Sequence, residues 1–274
     1  MSHRCGLGMN KLALPELDTL VEIVKTAAAR ELVPRFARSD QQIKTDGSIV
    51  TVSDFAMQQA LQSALQSHWP HIAFLGEEMP AAQQQASLQQ SQHGVWIVDP
   101  LDGTSNFSQG IPCFAVSVAL IQHGVIELGV VYDPVRDECF AAQRGQGARL
   151  NGVAMHLDAL RDIDTITIGL VDFKRLTSAL ASKLATAPPY KSQRSFGSVA
   201  LDWCWIAAGR GDVSVHGQQK LWDYAAGQLI LCEAGGVAAT LQGEPVYNGS
   251  LLPRSAVLAI NQTLFAQWLR YLQT

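Results

Sequence analysis

The stretch Trp96–Phe107, WIVDPLDGTSNF, constrains this chain more than any other. An apolar run that reads as a strand ends in two carboxylates, Asp99 and Asp102, with Pro100 between them and Gly103 just after. Pro100 forces the chain away from regular extension and Gly103 permits a sharp turn, so both acids are expected to project from the C-terminal end of a strand. Close carboxylates repel unless they are protonated or neutralised, and the usual neutraliser is a hard divalent cation with oxygen ligands. A D-x-x-D spacing alone is common, and acids in such turns often serve as caps or solvated groups. The case for Mg²⁺ rests on further acids at comparable junctions: Asp54 in SD, Glu77 and Glu78 in GEE, and Asp223 in WDY. After Asp102, GTSNF reads as the start of a short helix. The backbone N–H groups of Gly103 and Thr104 there would receive an anion, phosphate above all.

Around this centre the chain alternates apolar runs and turns. Leu17, Leu20, Val21, Val24 and Ala28 recur at helical spacing, with Pro34 expected to end or kink this opening helix. A second helix follows KTDGSIVTVSD, with Ser53 or Asp54 expected as its N-cap. IAFLGEEM reads as a short strand, and the Gln-rich AAQQQASLQQSQHG as a solvated loop or short helix. VWIVDP, CFAVSVALI, VIELGVVYD and ECFAAQ read as successive strands joined by hairpin-like links. Past GQGARLNG, strands and helices alternate. The expectation is therefore an α+β first lobe over 1–150 and an α/β second lobe over 151–274, one compact unit with a soft boundary near Asn151.

At 274 residues the chain can bury a substantial core, and 47% hydrophobic with 16% charged residues is the composition of a folded globular protein. A net charge of -4 and the lack of any basic stripe argue against nucleic acid as the primary ligand. The five cysteines, Cys5, Cys113, Cys139, Cys204 and Cys232, are scattered and never form C-x-x-C, so reduced thiols in a cytoplasmic protein are expected. Cys113 and Cys232 read as small buried thiols. No apolar run of about 18 residues is present, so neither a membrane span nor a secretory leader is expected.

The ordered set GEE, WIVDPLDGTSNF and LWDYAAGQLILCEAGG resembles the inositol monophosphatase family, within the lithium-sensitive, Mg²⁺-dependent phosphatases. The resemblance runs from about Lys44 to AVLAIN and implies a layered αβαβα sandwich, usually as a homodimer. It implies that Glu77, Asp99 and the Leu101 carbonyl hold one metal, and that Asp99, Asp102 and Asp223 hold a second, with Glu77 reaching a weaker third. Thr104 and Asp54 would activate water, while Gly103 and Thr104 grip phosphate. Gly197, Ser198 and Val199 match a substrate-facing segment, and Leu101, Asp102 and Asp223 would also border the substrate. Lys44 matches a basic residue of a metal loop. Glu78 and Trp222 are expected beside the site rather than in it.

One departure bears on the substrate. Inositol-processing members carry glutamate seven residues before the WD aspartate, where this chain has His216, and Lys220 stands where histidine is frequent. The implied activity is hydrolysis of a small phosphate monoester, with inositol preference in question. Fructose 1,6-bisphosphate, histidinol phosphate and 3',5'-bisphosphate nucleotides are the rival substrates within the same fold. A weakly catalytic regulatory or binding member is the alternative of a different class.

Overall fold

A computed structural model describes residues 14–38, 41–43, 49–157 and 161–274. Helix α1 (Leu17–Glu31) buries Leu20, Val24, Ala27 and Ala28 on one face, and Pro34 sits in the 3-10 turn that follows. Strands β1 (Gln41–Ile43) and β2 (Ile49–Thr51) pair antiparallel and lead straight into α2 (Val52–His68). Thr51, rather than Ser53 or Asp54, is the N-cap of α2. Its hydroxyl accepts the Ser53 N–H, while the Asp54 carboxylate reaches back to the Thr51 N–H at 2.7 Å. The acid sits three residues inside the helix as the second half of a capping box.

Strand β3 (Ala73–Gly76), helix α3 (Ala81–Leu88), strand β4 (Val95–Asp102) and the short α4 (Thr104–Ser108) come next. They are followed by β5 (Ala115–Gln122), β6 (Val125–Asp133), β7 (Glu138–Gln143), β8 (Ala148–Leu150) and β9 (Val153–Met155). These strands form a seven-stranded sheet in the order β3-β4-β5-β6-β7-β8-β9, parallel between β3 and β4 and antiparallel thereafter. Every residue of β4 and β5 is buried, because both sheet faces are covered. Side chains alternate between the faces. Trp96, Val98, Val116 and Val118 pack toward α1 and α2, whereas Val95, Ile97, Ala115 and Ala119 belong to the core on the other side.

The second half supplies β10 (Ile168–Asp172), α5 (Ser178–Thr186), β11 (Ser192–Arg194), α6 (Val199–Ala207), β12 (Val213–Gln219), α7 (Leu221–Glu233), β13 (Val237–Ala239), β14 (Arg254–Ala259) and α8 (Gln262–Gln273). Its five strands are ordered β11-β10-β12-β14-β13. Helix α7 packs across β4 to β8 of the first sheet, and α6 contacts both sheets. Helix α8 covers β13 and β14, with the Trp268 indole donating to the Ser214 carbonyl at 3.0 Å. The layers are therefore α1/α2, the seven-stranded sheet, α6/α7, the five-stranded sheet and α8, an αβαβα sandwich. The first sheet draws on residues 73–155 and the second on 168–259, so residue 150 falls at the turn of the last hairpin of the first sheet. Among the described residues, no helix is long and apolar enough to cross a membrane.

Candidate active site

The alternation of β4 breaks where the acids begin. Asp99 pairs with Ser117 and Asp102 with Ala115, so three residues of β4 oppose two of β5. Pro100 has no N–H to continue the ladder, and this irregularity delivers both carboxylates to one strand end. Asp99 accepts the Leu101 N–H at 3.0 Å. Gly103 then takes φ 90°, the left-handed region, and caps α4. A side chain there would meet the Cys113 carbonyl at 3.0 Å and the Gly197 carbonyl at 3.3 Å. Only glycine suits both the angle and the space.

The other pieces arrive from separate elements. Thr104 Oγ1 lies 3.0 Å from Asp54 Oδ1 and 2.9 Å from the Leu101 carbonyl, so its one proton has two acceptors. Asp102 Oδ2 accepts the Ser198 hydroxyl at 2.6 Å and the Ala200 N–H at 2.7 Å. These bonds bring Gly197, Ser198 and Val199, at the start of α6, against β4. Asp223 lies in the first turn of α7 and accepts the Lys220 N–H at 2.8 Å. Glu77 follows β3, and its N–H extends the sheet by donating to the Val98 carbonyl at 3.0 Å. The Glu78 N–H donates to Gln58 Oε1 at 2.9 Å. Asp54, Asp99, Leu101, Asp102 and Ser198 are buried, whereas Glu77, Gly103, Thr104, Gly197, Val199 and Asp223 keep some open surface. The cluster thus has a buried floor and an accessible rim.

The charges respond to this crowding. Burial pushes the Asp99 carboxyl well above its ordinary range, and the charges of Glu77, Asp102 and Asp223 push it further. Asp223 moves the same way through burial, then Glu77 and Asp102. Asp102 is raised to about 6, burial outweighing the bonds from Ser198 and Ala200. Asp54 is raised by burial against the opposing bonds from Thr51 and Thr104. Glu77 acts on all four aspartates, which identifies it as their common neighbour.

An all-oxygen donor set of four carboxylates and a turn carbonyl suits Mg²⁺ rather than a softer ion. Among the described residues, no three His, Cys, Asp or Glu side chains stand close enough as placed to hold an ion. The residues fit the cation in chemistry and in shared burial. Two surface hollows of about 310 and 350 Å³ along α1 are lined by none of these acids.

His216 is a buried residue of β12, not part of a loop. Its Nε2 lies 3.0 Å from Asp172 Oδ2, and its Nδ1 accepts the Gln218 N–H at 3.2 Å. The Lys220 ammonium lies over the Trp222 ring, 5.4 Å from its centroid. Cys113 is buried, and that burial pushes its thiol up to about 12. Cys232, expected to be buried, is exposed on the last turn of α7. Lys44 and Cys5 lie outside the described residues.

Three contributors escaped the sequence reading. Gln84 of α3 donates to the Gly76 and Glu77 carbonyls at 3.0 and 2.9 Å, fixing the turn that presents Glu77. Nothing in a glutamine tract marks one glutamine for this. Asn106 of α4 donates to the Cys113 and Phe196 carbonyls at 2.8 and 2.6 Å, tying the β4 turn to the segment before α6. Asp172 was invisible because its partner, His216, is 44 residues away in sequence and adjacent only through strand pairing.

The chain is 37% identical over 217 residues to the Nus factor SuhB of Pasteurella multocida, covering 77% of this chain and 79% of that one. It is 36% identical over 227 residues to an inositol monophosphatase of Mesembryanthemum crystallinum, covering 81% of this chain and 83% of that one. Inositol monophosphatase II of Staphylococcus aureus, solved with inositol monophosphate and with 2'AMP bound, is 25% identical, covers 93% of both chains and superposes with a TM-score of 0.78. The model of the inositol monophosphatase family matches residues 14–273, and this chain belongs to that family.

Proposed function

We propose that this protein hydrolyses a small phosphate monoester with Mg²⁺ as cofactor. The observation that carries the reading is the convergence of Glu77, Asp99, Asp102 and Asp223 from three separate segments, with Glu77 raising the proton affinity of all three aspartates. These four and the Leu101 carbonyl would hold Mg²⁺, which when bound supplies charge stabilisation and an acidic water. The protein's own groups do the rest. The first amides of α4, at Gly103 and Thr104, orient the phosphate. Thr104 Oγ1, within 3.0 Å of Asp54, passes a proton from the attacking water to that carboxylate. The water oxygen bonds to phosphorus as the ester P–O bond breaks, and the leaving alkoxide takes up a proton. No phosphoenzyme is required. Gly197, Ser198 and Val199 would border the side from which the alcohol portion approaches, with His216 buried behind them on Asp172.

The test is phosphate release with Mg²⁺ across inositol 1-phosphate, 2'AMP, glycerol 2-phosphate, fructose 1,6-bisphosphate, histidinol phosphate and a 3',5'-bisphosphate nucleotide. Turnover that disappears with chelator supports the reading, and no turnover on any ester sinks it. Lithium at tens of millimolar, on the order expected for a weakly competing monovalent ion, should inhibit. A homodimer is the expected assembly, and sedimentation would measure it. The protein is expected to work in the cytoplasm on a small phosphorylated substrate.

A second reading has support of its own, since a relative at 37% identity is named a Nus factor. In that reading the chain is a regulatory member with weak catalysis. The Thr104–Asp54 bond, and the presence of Glu77, Asp99, Asp102 and Asp223 at the positions that the resemblance implies, favour hydrolysis. A chain that shows no turnover yet keeps its fold would favour regulation.

A further inference from the structure

Strands β10 and β12 run parallel and adjacent, with Asp172 in register with His216. Asp172 is the last residue of β10, His216 sits midway along β12, and the C-terminal end of β12 leads into α7, with Asp223 seven residues beyond His216. His216 has no ring nitrogen to spare. Nδ1 accepts the Gln218 N–H, so the proton of the neutral ring is on Nε2 and is donated to Asp172. The imidazole therefore acts on its neighbour rather than on a ligand.

Asp172 is differently placed. Its side chain keeps 28% exposure, and Oδ1 accepts the Lys174 N–H at 3.0 Å while Oδ2 faces His216. Each carboxylate oxygen still has a lone pair for another donor. Burial works to raise its proton affinity, but the hydrogen bonds from His216 and the Lys174 N–H and the charge of Arg175 outweigh it, and the group is held below its ordinary range. The backbone around it is clamped: a Cβ on Gly217 would lie 1.6 Å from the Arg175 carbonyl, so the turn after Asp172 is pressed directly on β12. Asp202 of α6 places this carboxylate relative to the site, because its own carboxyl feels both Asp102 and Asp172. Asp202 follows Ser198, the residue that holds Asp102, by one helical turn.

Resting on the phosphatase reading, we propose that Asp172 is a specificity-determining residue that accepts hydrogen bonds from hydroxyl groups of the substrate's alcohol portion, with His216 positioning it. The substrate class that fits is a polyol or sugar monophosphate with a free hydroxyl near the ester. A fixed anion at this wall disfavours a second phosphate, although Lys174 and Arg175 are exposed on the same turn and supply the competing possibility.

The experiment measures kcat and KM with Mg²⁺ for inositol 1-phosphate, phenyl phosphate and fructose 1,6-bisphosphate. Asp172→Asn and Asp172→Ser, the second keeping a cap for Lys174, should raise KM for inositol 1-phosphate about tenfold, the scale of one lost polar contact. Values of kcat, and KM for phenyl phosphate, should stay within about twofold. His216→Gln can still donate to Asp172 and should keep most of the preference. Equal losses on inositol 1-phosphate and phenyl phosphate, or no change on either, overturn the proposal. So does a bisphosphate preference that falls in Lys174→Ala or Arg175→Ala. If the wild type turns over no ester, the phosphatase reading fails separately. Calorimetric binding of inositol 1-phosphate and phenyl phosphate then decides this proposal by the same ratio, and an unchanged ratio in Asp172→Ser overturns it.

Discussion

Asp102 and Asp223 are held through backbone and hydroxyl donors on one oxygen each, at 2.6 to 2.8 Å, which leaves the other oxygen of each for a shared cation. Replacing either by asparagine preserves an acceptor for those donors and removes one charge from a repelling group. Asp102→Asn and Asp223→Asn should each lower Mg²⁺-dependent turnover by at least about 10²-fold. Their melting temperatures in chelator should be no lower than wild type, since a repulsion has been relieved. Full activity in either variant would falsify the metal assignment. Thr104→Val should also cut turnover, by about 10²-fold, while Thr104→Ser restores most of it, because only the hydroxyl bridges Asp54 and the Leu101 carbonyl. These residues were legible because they crowd one short motif whose proline and glycine announce a turn. Gln84 and Asp172 were not, since each acquires its role from a partner that only the fold brings near.

At the level of elements, the apolar runs around β4 to β7 could be read as strands because turn residues punctuate them. The N-terminus of α2 was misread, since Ser53 and Asp54 are good caps by type and only the structure shows Thr51 taking that place. The Gln-rich tract is a helix, α3, with one glutamine turned inward. Function at this scale depends on joints between elements. Asn106 links α4 to the Cys113 and Phe196 carbonyls, so Asn106→Ala leaves two carbonyls unpaired and frees the 196–199 segment from the β4 turn. The expected cost is roughly 1–3 kcal/mol in stability, read by denaturant unfolding, together with a raised KM. A variant as stable as wild type, with unchanged KM, would show that the Ser198 and Ala200 bonds to Asp102 suffice to hold α6 in place.

On the scale of the whole molecule, the sandwich gathers acids from the first sheet and from α7 into a shared interior, an arrangement that strand spacing alone could not reveal. The sequence pattern pointed to an α+β half and an α/β half, whereas the layering entered through family resemblance, because nothing local records that α7 crosses the first sheet. This convergence has a cost that depends on pH. Asp54, Asp99, Asp102 and Asp223 all have proton affinities raised above the ordinary carboxylate value, mainly by burial. The folded chain thus holds more protons than the unfolded chain above about pH 4, and stability falls as pH rises there, by about 1.4 kcal/mol per pH unit for each extra proton held. For Asp102 the loss develops between its ordinary 3.8 and about 6 and remains at higher pH. Asp99 and Asp223, raised well above 3.8, extend the decline in the same direction. In chelator, the melting temperature should therefore be higher at pH 5 than at pH 7.5. Saturating Mg²⁺ should raise it at pH 7.5, where the carboxylates are ionised, and much less at pH 5, where protons compete for the same oxygens. A chelated protein more stable at pH 7.5 than at pH 5, with no response to Mg²⁺ at either pH, would mean that these acids do not form a shared cation site.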